Sequence, residues 1–202
     1  ATLIEYMPKN TKNIIWFYYE GNDNYDLTNE LKNKTLIKYI RSIDFKQDLK
    51  FKQNKIDLKL KKYLSEFINN NNIVLSGILI THHHADHTSG INDLLKFQST
   101  EIYSPDQNIM KTSKIIKEGD LIKFDFIEFN VIATSGHTLD HIVYFSKQNN
   151  LLFSGDTLFR FGCGRVFEGT YDEMKKSLNK IEKLDDSINV YCGHEYTIHN
   201  LK

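Results

Sequence analysis

The run Ile73 to Ile80 (Ile-Val-Leu-Ser-Gly-Ile-Leu-Ile) reads as a buried strand, and it stops at Thr81 directly before His82-His83-His84-Ala85-Asp86-His87. That stretch sets three imidazoles and a carboxylate at H-x-H-x-D-H spacing, where the strand must end and turn into a helix. Side chains alternate along an extended chain, so His82 and His84 share a face and reach one metal, while Asp86 and His87 come around the turn to a second. His83 and Ala85 then point elsewhere. Ligands collected at a strand end constrain the rest of the chain, which has to bring further strand ends to the same mouth.

The 202 residues suffice for one domain with a substantial core. Twenty-six Lys and Arg balance twenty-six Asp and Glu, which argues against a nucleic-acid footprint or a polybasic membrane surface. No apolar stretch approaches the roughly 20 residues of a membrane span, and the acidic opening (Glu5, Glu20, Asp23, Asp26) is unlike a signal or transit peptide. The expectation is a cytoplasmic monomer with no nucleic-acid or membrane partner. Ala1 in place of Met leaves the true start, and with it an organellar form, open. Cys163 and Cys192 form no C-x-x-C, so they are expected to be buried free thiols rather than a disulfide or thiolate metal site.

Ile14 to Tyr19 and Thr35 to Ile43 read as strands, and Ile56 to Ile68 as a helix that the Asn69 to Asn72 tract ends. Leu121 to Phe124, Phe126 to Ala133, Ile142 to Phe145 and Leu151 to Phe153 follow as short strands. Tyr171 to Leu184 carries Met174, Leu178, Ile181 and Leu184 on one helical face, and Ile188 to Cys192 is a last strand before a segment that turns helical from Glu195. The fold class expected is α/β, with two packed sheets covered outside by helices.

Four motifs end strands: the histidine run, Ser135-Gly136-His137-Thr138, Phe153-Ser154-Gly155-Asp156-Thr157, and Tyr191-Cys192-Gly193-His194-Glu195. Leaving out His83 and Glu195, they supply five imidazoles and two carboxylates, enough for two metals with a group bridging them. As a set with Gly162-Cys163-Gly164-Arg165 and Phe167-Glu168-Gly169-Thr170, these motifs resemble the metallo-β-lactamase superfamily, and more narrowly glyoxalase II, the hydroxyacylglutathione hydrolases. The resemblance runs from about Ile73 to the C-terminus and is loose before it; there Ser42-Ile43-Asp44-Phe45 stands where the family has a V-D-P turn.

The resemblance implies an αββα sandwich of two mixed sheets. It assigns one metal to His82, His84 and His137 and the other to Asp86, His87 and His194, with Asp156 bridging. Zinc is expected, with iron or manganese compatible with the same nitrogen and oxygen donors. Asp86 and Asp156 would be catalytic, and His141 and Asp44 would support the ligands from behind. Arg165, with Phe167 and Tyr196, would contact the glutathione part of S-D-lactoylglutathione, whose carboxylates suit a guanidinium fork. Residues 1–194 would form the catalytic domain and 195–202 the start of a truncated helical region, which in the family adds basic residues to the glutathione pocket. Asp140 and Ser89 depart from family glycines without removing a ligand.

The reaction expected is attack on the thioester by a hydroxide held between two cations, releasing D-lactate and glutathione. A thiolate, with a conjugate-acid pKa of about 8.5, leaves without a proton donor. The rival readings are a persulfide dioxygenase with a single iron, a ribonuclease Z-like nuclease, against which the lack of a basic stripe speaks, and a truncated metal-binding domain without turnover.

Overall fold

The apolar runs form two sheets and one short ribbon in a computed structural model that describes residues 13–17, 70, 72–111, 113–194 and 196–201. The chain divides into two compact units, Ala1–Asn13 with Asn22–Val74, and Ile14–Gly21 with Leu75–Lys202; nearly all the described residues belong to the second. The strand expected at 35–43, the helix at 56–68 and Asp44 lie outside the described residues.

The first sheet contains β1 (Asn13–Phe17), β2 (Val74–Leu79), β3 (Ile102–Ser104) and β4 (Lys114–Ile115) in that order, with β2, β3 and β4 parallel. In the second, β5 (Leu121–Phe124), β6 (Ile127–Ala133), β7 (Ile142–Ser146) and β8 (Leu151–Gly155) pair antiparallel in sequence. β9 (Leu158–Phe159) and β10 (Gly162–Cys163) make an antiparallel ribbon, and β11 (Asn189–Cys192) joins β8 in parallel. The helices are α1 (Ala85–Thr88), α2 (Ile91–Phe97), α3 (Tyr171–Glu182) and α4 (Thr197–Asn200).

Alternation along the strands of the second sheet builds the layers. Ile142 and Tyr144 of β7 face inward with Phe129 and Val131 of β6, and pack with Leu79 of β2 and Tyr103 of β3 in the core between the sheets. Val143 and Leu152 face the other way, onto Ile181 of α3 and onto Leu184 and Ile188. A sheet covered on both faces needs apolar residues at consecutive positions, which is why Ile142-Val143-Tyr144 is buried without a break. α3 starts with a capping box, in which the Thr170 hydroxyl accepts from the Glu173 N–H and the Glu173 carboxylate from the Thr170 N–H. Its Ser177 hydroxyl donates to the Ser135 carbonyl at 2.7 Å, tying the helix to the loop that carries His137.

Most of the strands expected after Ile73 are observed within a residue or two. β3 and α2 were not expected, since three residues of strand and two turns of helix leave little periodicity to read. The chain belongs to the α/β class, and no helix among the described residues is long and apolar enough to cross a membrane.

The cysteines correct an expectation: Cys163 is exposed and Cys192 only half-buried. A Cβ on Gly162 would lie 2.6 Å from the Asn200 amide nitrogen, and one on Gly164 1.9 Å from the Asp156 carbonyl oxygen. Both flanking glycines press their backbone inward, so alternation turns Cys163 out.

Tyr144 is fully buried and its hydroxyl donates to the Ile80 carbonyl at 2.5 Å, joining β7 to the residue after β2. Tyr144→Phe leaves that carbonyl without its partner and is expected to lower unfolding free energy by about 1–2 kcal/mol. Urea unfolding should show a lower midpoint at unchanged m-value; an unchanged midpoint would contradict the assignment.

Candidate metal centre

β6, β8 and β11 run in one direction, because β6 and β8 are both antiparallel to β7 and β11 is parallel to β8. Their C-terminal ends therefore share one edge of the sheet and deliver His137, Asp156 and His194 there. The end of β2 is brought to the same edge by the Ile142 N–H, which donates to the Thr81 carbonyl at 2.9 Å. The short α1, begun by the His87 N–H donating to the His84 carbonyl at 3.0 Å, swings Asp86 and His87 around the turn.

Two candidate ligand sets result, and His82, His87 and Asp156 form a group that overlaps both. His84 Nδ1 lies 3.0 Å from His137 Nε2, and His82, His84 and His137 converge on one point. Asp86, His87 and His194 converge on another: His87 Nε2 is 3.3 Å from His194 Nε2, which is 3.4 Å from Asp86 Oδ2. The Asp156 carboxylate stands between them, 3.4 Å from His137 Nε2 and 3.3 Å from both His87 Nε2 and His194 Nε2.

These distances fit a metal ion. With metal–nitrogen bonds of about 2.0–2.1 Å, neighbouring ligands of a tetrahedral site lie about 3.3 Å apart, close to the 3.3–3.7 Å between Asp86, His87 and His194. His82 Nε2 is buried with no hydrogen-bond partner, while its Nδ1 lies 3.0 Å from the Thr81 hydroxyl. A buried imidazole nitrogen left in that condition is costly unless something else takes its lone pair.

The surroundings orient the ligands. His137 Nδ1–H donates to the Arg165 carbonyl at 2.7 Å, so Arg165 touches the site through its backbone. Fully buried His141 accepts the Asp156 N–H on Nε2 at 3.0 Å; its Nδ1–H is thereby left to the hydroxyls of Thr134 and Thr157, at 2.9 and 3.1 Å. Close approach also demands bare backbone. Gly155 has φ +49°, and a Cβ on Gly193 would come within 2.3 Å of Asp156 Oδ1. Thr81, Thr134, Thr157, Gly193 and the Arg165 carbonyl were not singled out from sequence, since hydroxyls and glycines are common and only contact gives them a role.

Burial holds His82 far below the ordinary imidazole pKa, reinforced by His141 and His87. His84 is lowered by burial and by His137, so both are neutral and able to bind a cation. Burial opposes the Asp156 charge, yet the bonds from His194 and His87 hold its carboxyl far below the usual range. Asp86 is lowered chiefly by its bond from His194. Burial also works against a charge on His194, but the bonds to Asp156 and Asp86 prevail and raise it to about 9. His141 is lowered to about 3, by burial first.

Beside the first set, Phe167 is 63% exposed and lies edge-on to His84 and His137, with ring centroids 5.8 and 5.2 Å away. Tyr196 stacks on His194 at 5.0 Å, and the Arg165 side chain is exposed. His83 bonds toward Asp140 and Glu168, its ring edge-on to His84 at 5.1 Å. The side chain of His199 lies outside the described residues.

The histidine shifts set opposing pH limits in chelator-treated protein. His194, raised from 6.5 to about 9, stabilises the fold fully below pH 6.5, and that contribution is lost as pH rises through 9. His141, lowered from 6.5 to about 3, is kept neutral by the fold, so stability falls as pH drops from 6.5 toward 3. Thermal unfolding followed by circular dichroism should therefore give a maximum Tm near pH 6.5; a Tm still rising between pH 7 and 9 would contradict this. Gly193→Ala should displace the Asp156 carboxylate and reduce zinc bound per chain, read by elemental analysis, with the fold retained by circular dichroism.

Residues 66–194 match the family model of the Metallo-beta-lactamase superfamily. The hydroxyacylglutathione hydrolase of Rhodopseudomonas palustris (strain BisB5) is 45% identical over 131 residues, 63% of this chain and 51% of that protein. The hydroxyacylglutathione hydrolase of Legionella pneumophila (strain Corby) is 43% identical over 138 residues, 67% and 54% of the two chains. The chain thus spans about half the length of these relatives. Among solved structures, ETHE1 from Myxococcus xanthus superposes with a TM-score of 0.59 at 28% identity, covering 68% of this chain and 61% of that one. A metallo-beta-lactamase from Staphylococcus aureus gives 0.56 at 27% identity, covering 67% and 45%. With the family model matching well over half its length and a sheet edge that gathers histidines and carboxylates, this chain belongs to the metallo-β-lactamase superfamily.

Proposed function

We propose that the chain is the metal-holding part of a hydroxyacylglutathione hydrolase, glyoxalase II, which cleaves S-D-lactoylglutathione to D-lactate and glutathione with two divalent ions, zinc being the expected metal. The observation that carries this reading is the pair of ligand sets sharing Asp156 at 3.3–3.4 Å. The relatives at 42–47% identity that bear the hydroxyacylglutathione hydrolase name support the choice of substrate.

In this reading His82, His84 and His137 hold one ion, Asp86, His87 and His194 the other, and Asp156 both. Divalent ions held there would supply Lewis-acid chemistry and lower the pKa of a water from about 15.7 toward 7. The protein supplies the order. Thr81 and the Arg165 carbonyl fix the rings of His82 and His137, and His141 fixes the backbone of Asp156. Asp86 keeps 48% of its side chain exposed, so its carboxylate reaches the open side and can orient the attacking water. The thiolate leaves unaided. Phe167 and Tyr196 wall the mouth, and the Arg165 guanidinium takes a glutathione carboxylate.

Zinc-loaded protein should hydrolyse S-D-lactoylglutathione, followed by loss of thioester absorbance, while one iron per chain with oxygen uptake on glutathione persulfide would overturn the reading. Asp156→Ala should lower bound metal and cut kcat/KM roughly 100-fold or more. Arg165→Ala should raise KM about 10-fold with kcat nearly unchanged, as expected for loss of a charge-assisted contact made equally in ground and transition states.

A further inference from the structure

We propose that His83 is a positioning residue that clamps together the three loops around His82, His84 and His137, an inference that rests on the metal assignment above. His83 lies between two candidate ligands, its ring edge-on to His84 with centroids 5.1 Å apart. Its Nδ1 is 2.9 Å from Asp140 Oδ1 and its Nε2 is 3.0 Å from Glu168 Oε1. The second Glu168 oxygen accepts the Leu139 N–H at 2.9 Å.

These contacts join segments that have no regular structure of their own. Leu139 and Asp140 belong to the loop after β6 that presents His137, and Glu168 belongs to the loop after β10 that presents Arg165 and Phe167. That second loop already touches His137: the Arg165 carbonyl accepts from its ring, the Phe167 N–H donates to its carbonyl at 3.2 Å, and the Gly169 N–H donates to the Gly136 carbonyl at 3.2 Å. His83 bonds both loops, through a carboxylate of each, to the segment carrying His82 and His84. The Asp140 side chain is only 16% exposed and its Oδ2 is buried without a hydrogen-bond partner, so the bond to His83 is what offsets its desolvation.

The clamp acts on one ligand set. Asp86 and His87 ride on α1 and His194 follows β11, so the second set has regular elements behind it. Ion pairs as exposed as His83 with Glu168, 37% and 35%, contribute little to global stability. The effect expected is therefore local, in the placing of ligands rather than in folding.

The test is a zinc titration of the full chain against a chromophoric chelator, resolving two stepwise affinities. His83→Ala should weaken one step about 10-fold or more and leave the other within about 3-fold. In a His194→Ala background, where the first set is the one left intact, His83→Ala should produce the same loss. Asp140→Ala should reproduce the loss in part, and Asp140→Asn, which keeps an acceptor toward Nδ1, should restore most of it. Two unchanged steps, two equally weakened steps, or no rescue by Asp140→Asn would overturn the clamp while leaving the metal assignment standing. Wild-type protein that takes up fewer than two zinc ions would overturn the metal assignment itself, and the clamp with it.

Discussion

A carboxylate at 5% exposure, within 3.4 Å of three imidazole nitrogens, is the constraint from which much of the rest of this structure follows. Burying Asp156 is costly unless its oxygens are satisfied. The backbone has to come unusually close to do so. Gly155 adopts a left-handed conformation before it, Gly193 passes beside one of its oxygens, and Gly164 lies against its carbonyl. A side chain at Gly193 would collide with this carboxylate, one at Gly164 with the Asp156 carbonyl, and one at Gly155 with His141 and Thr81.

The sheets convert this local crowding into a defined arrangement. Three strands running the same way place their last residues side by side, and Tyr144 and Ile142 bond the end of β2 to that edge. Since β7 is covered by the other sheet on one face and by α3 on the other, it has little freedom to shift, and the ligands beyond the strand ends inherit that rigidity. Loops with no ladder of their own depend instead on single hydrogen bonds: Thr81 on His82, the Arg165 carbonyl on His137, His141 on Asp156, and His83 across Asp140 and Glu168.

In the proposed function one residue, Arg165, serves both structure and recognition. Its carbonyl fixes a ring of the centre while its side chain stays exposed at the mouth, next to an aromatic wall of Phe167 that meets two candidate ligands edge-on. A mouth lined by aromatic faces with a cation at its rim suits a ligand carrying carboxylates on a flexible body.

The two-sheet class was legible in the sequence by itself, and so was the choice of His82, His84, Asp86, His87, His137, Asp156 and His194 as candidate ligands, which the structure brings to one sheet edge. A strand that ends on H-x-H-x-D-H has few ways to arrange those side chains, and alternation is a local property of the chain. The supporting residues were not legible in the same way. Thr157 and Gly193 sit inside the quoted motifs and Thr81 beside one, but neither they nor Thr134 show in the sequence what they touch; the Arg165 carbonyl belongs to the backbone rather than to its residue type, and Cys163 was expected inside but faces out because two flanking glycines turn inward. His83 was set aside as pointing elsewhere, which it does, onto two carboxylates 57 and 85 positions along the chain. Residue type and short-range spacing determine which chemistry is available; distances between segments far apart in sequence decide which groups hold it in place, and those distances exist only once the sheets have packed.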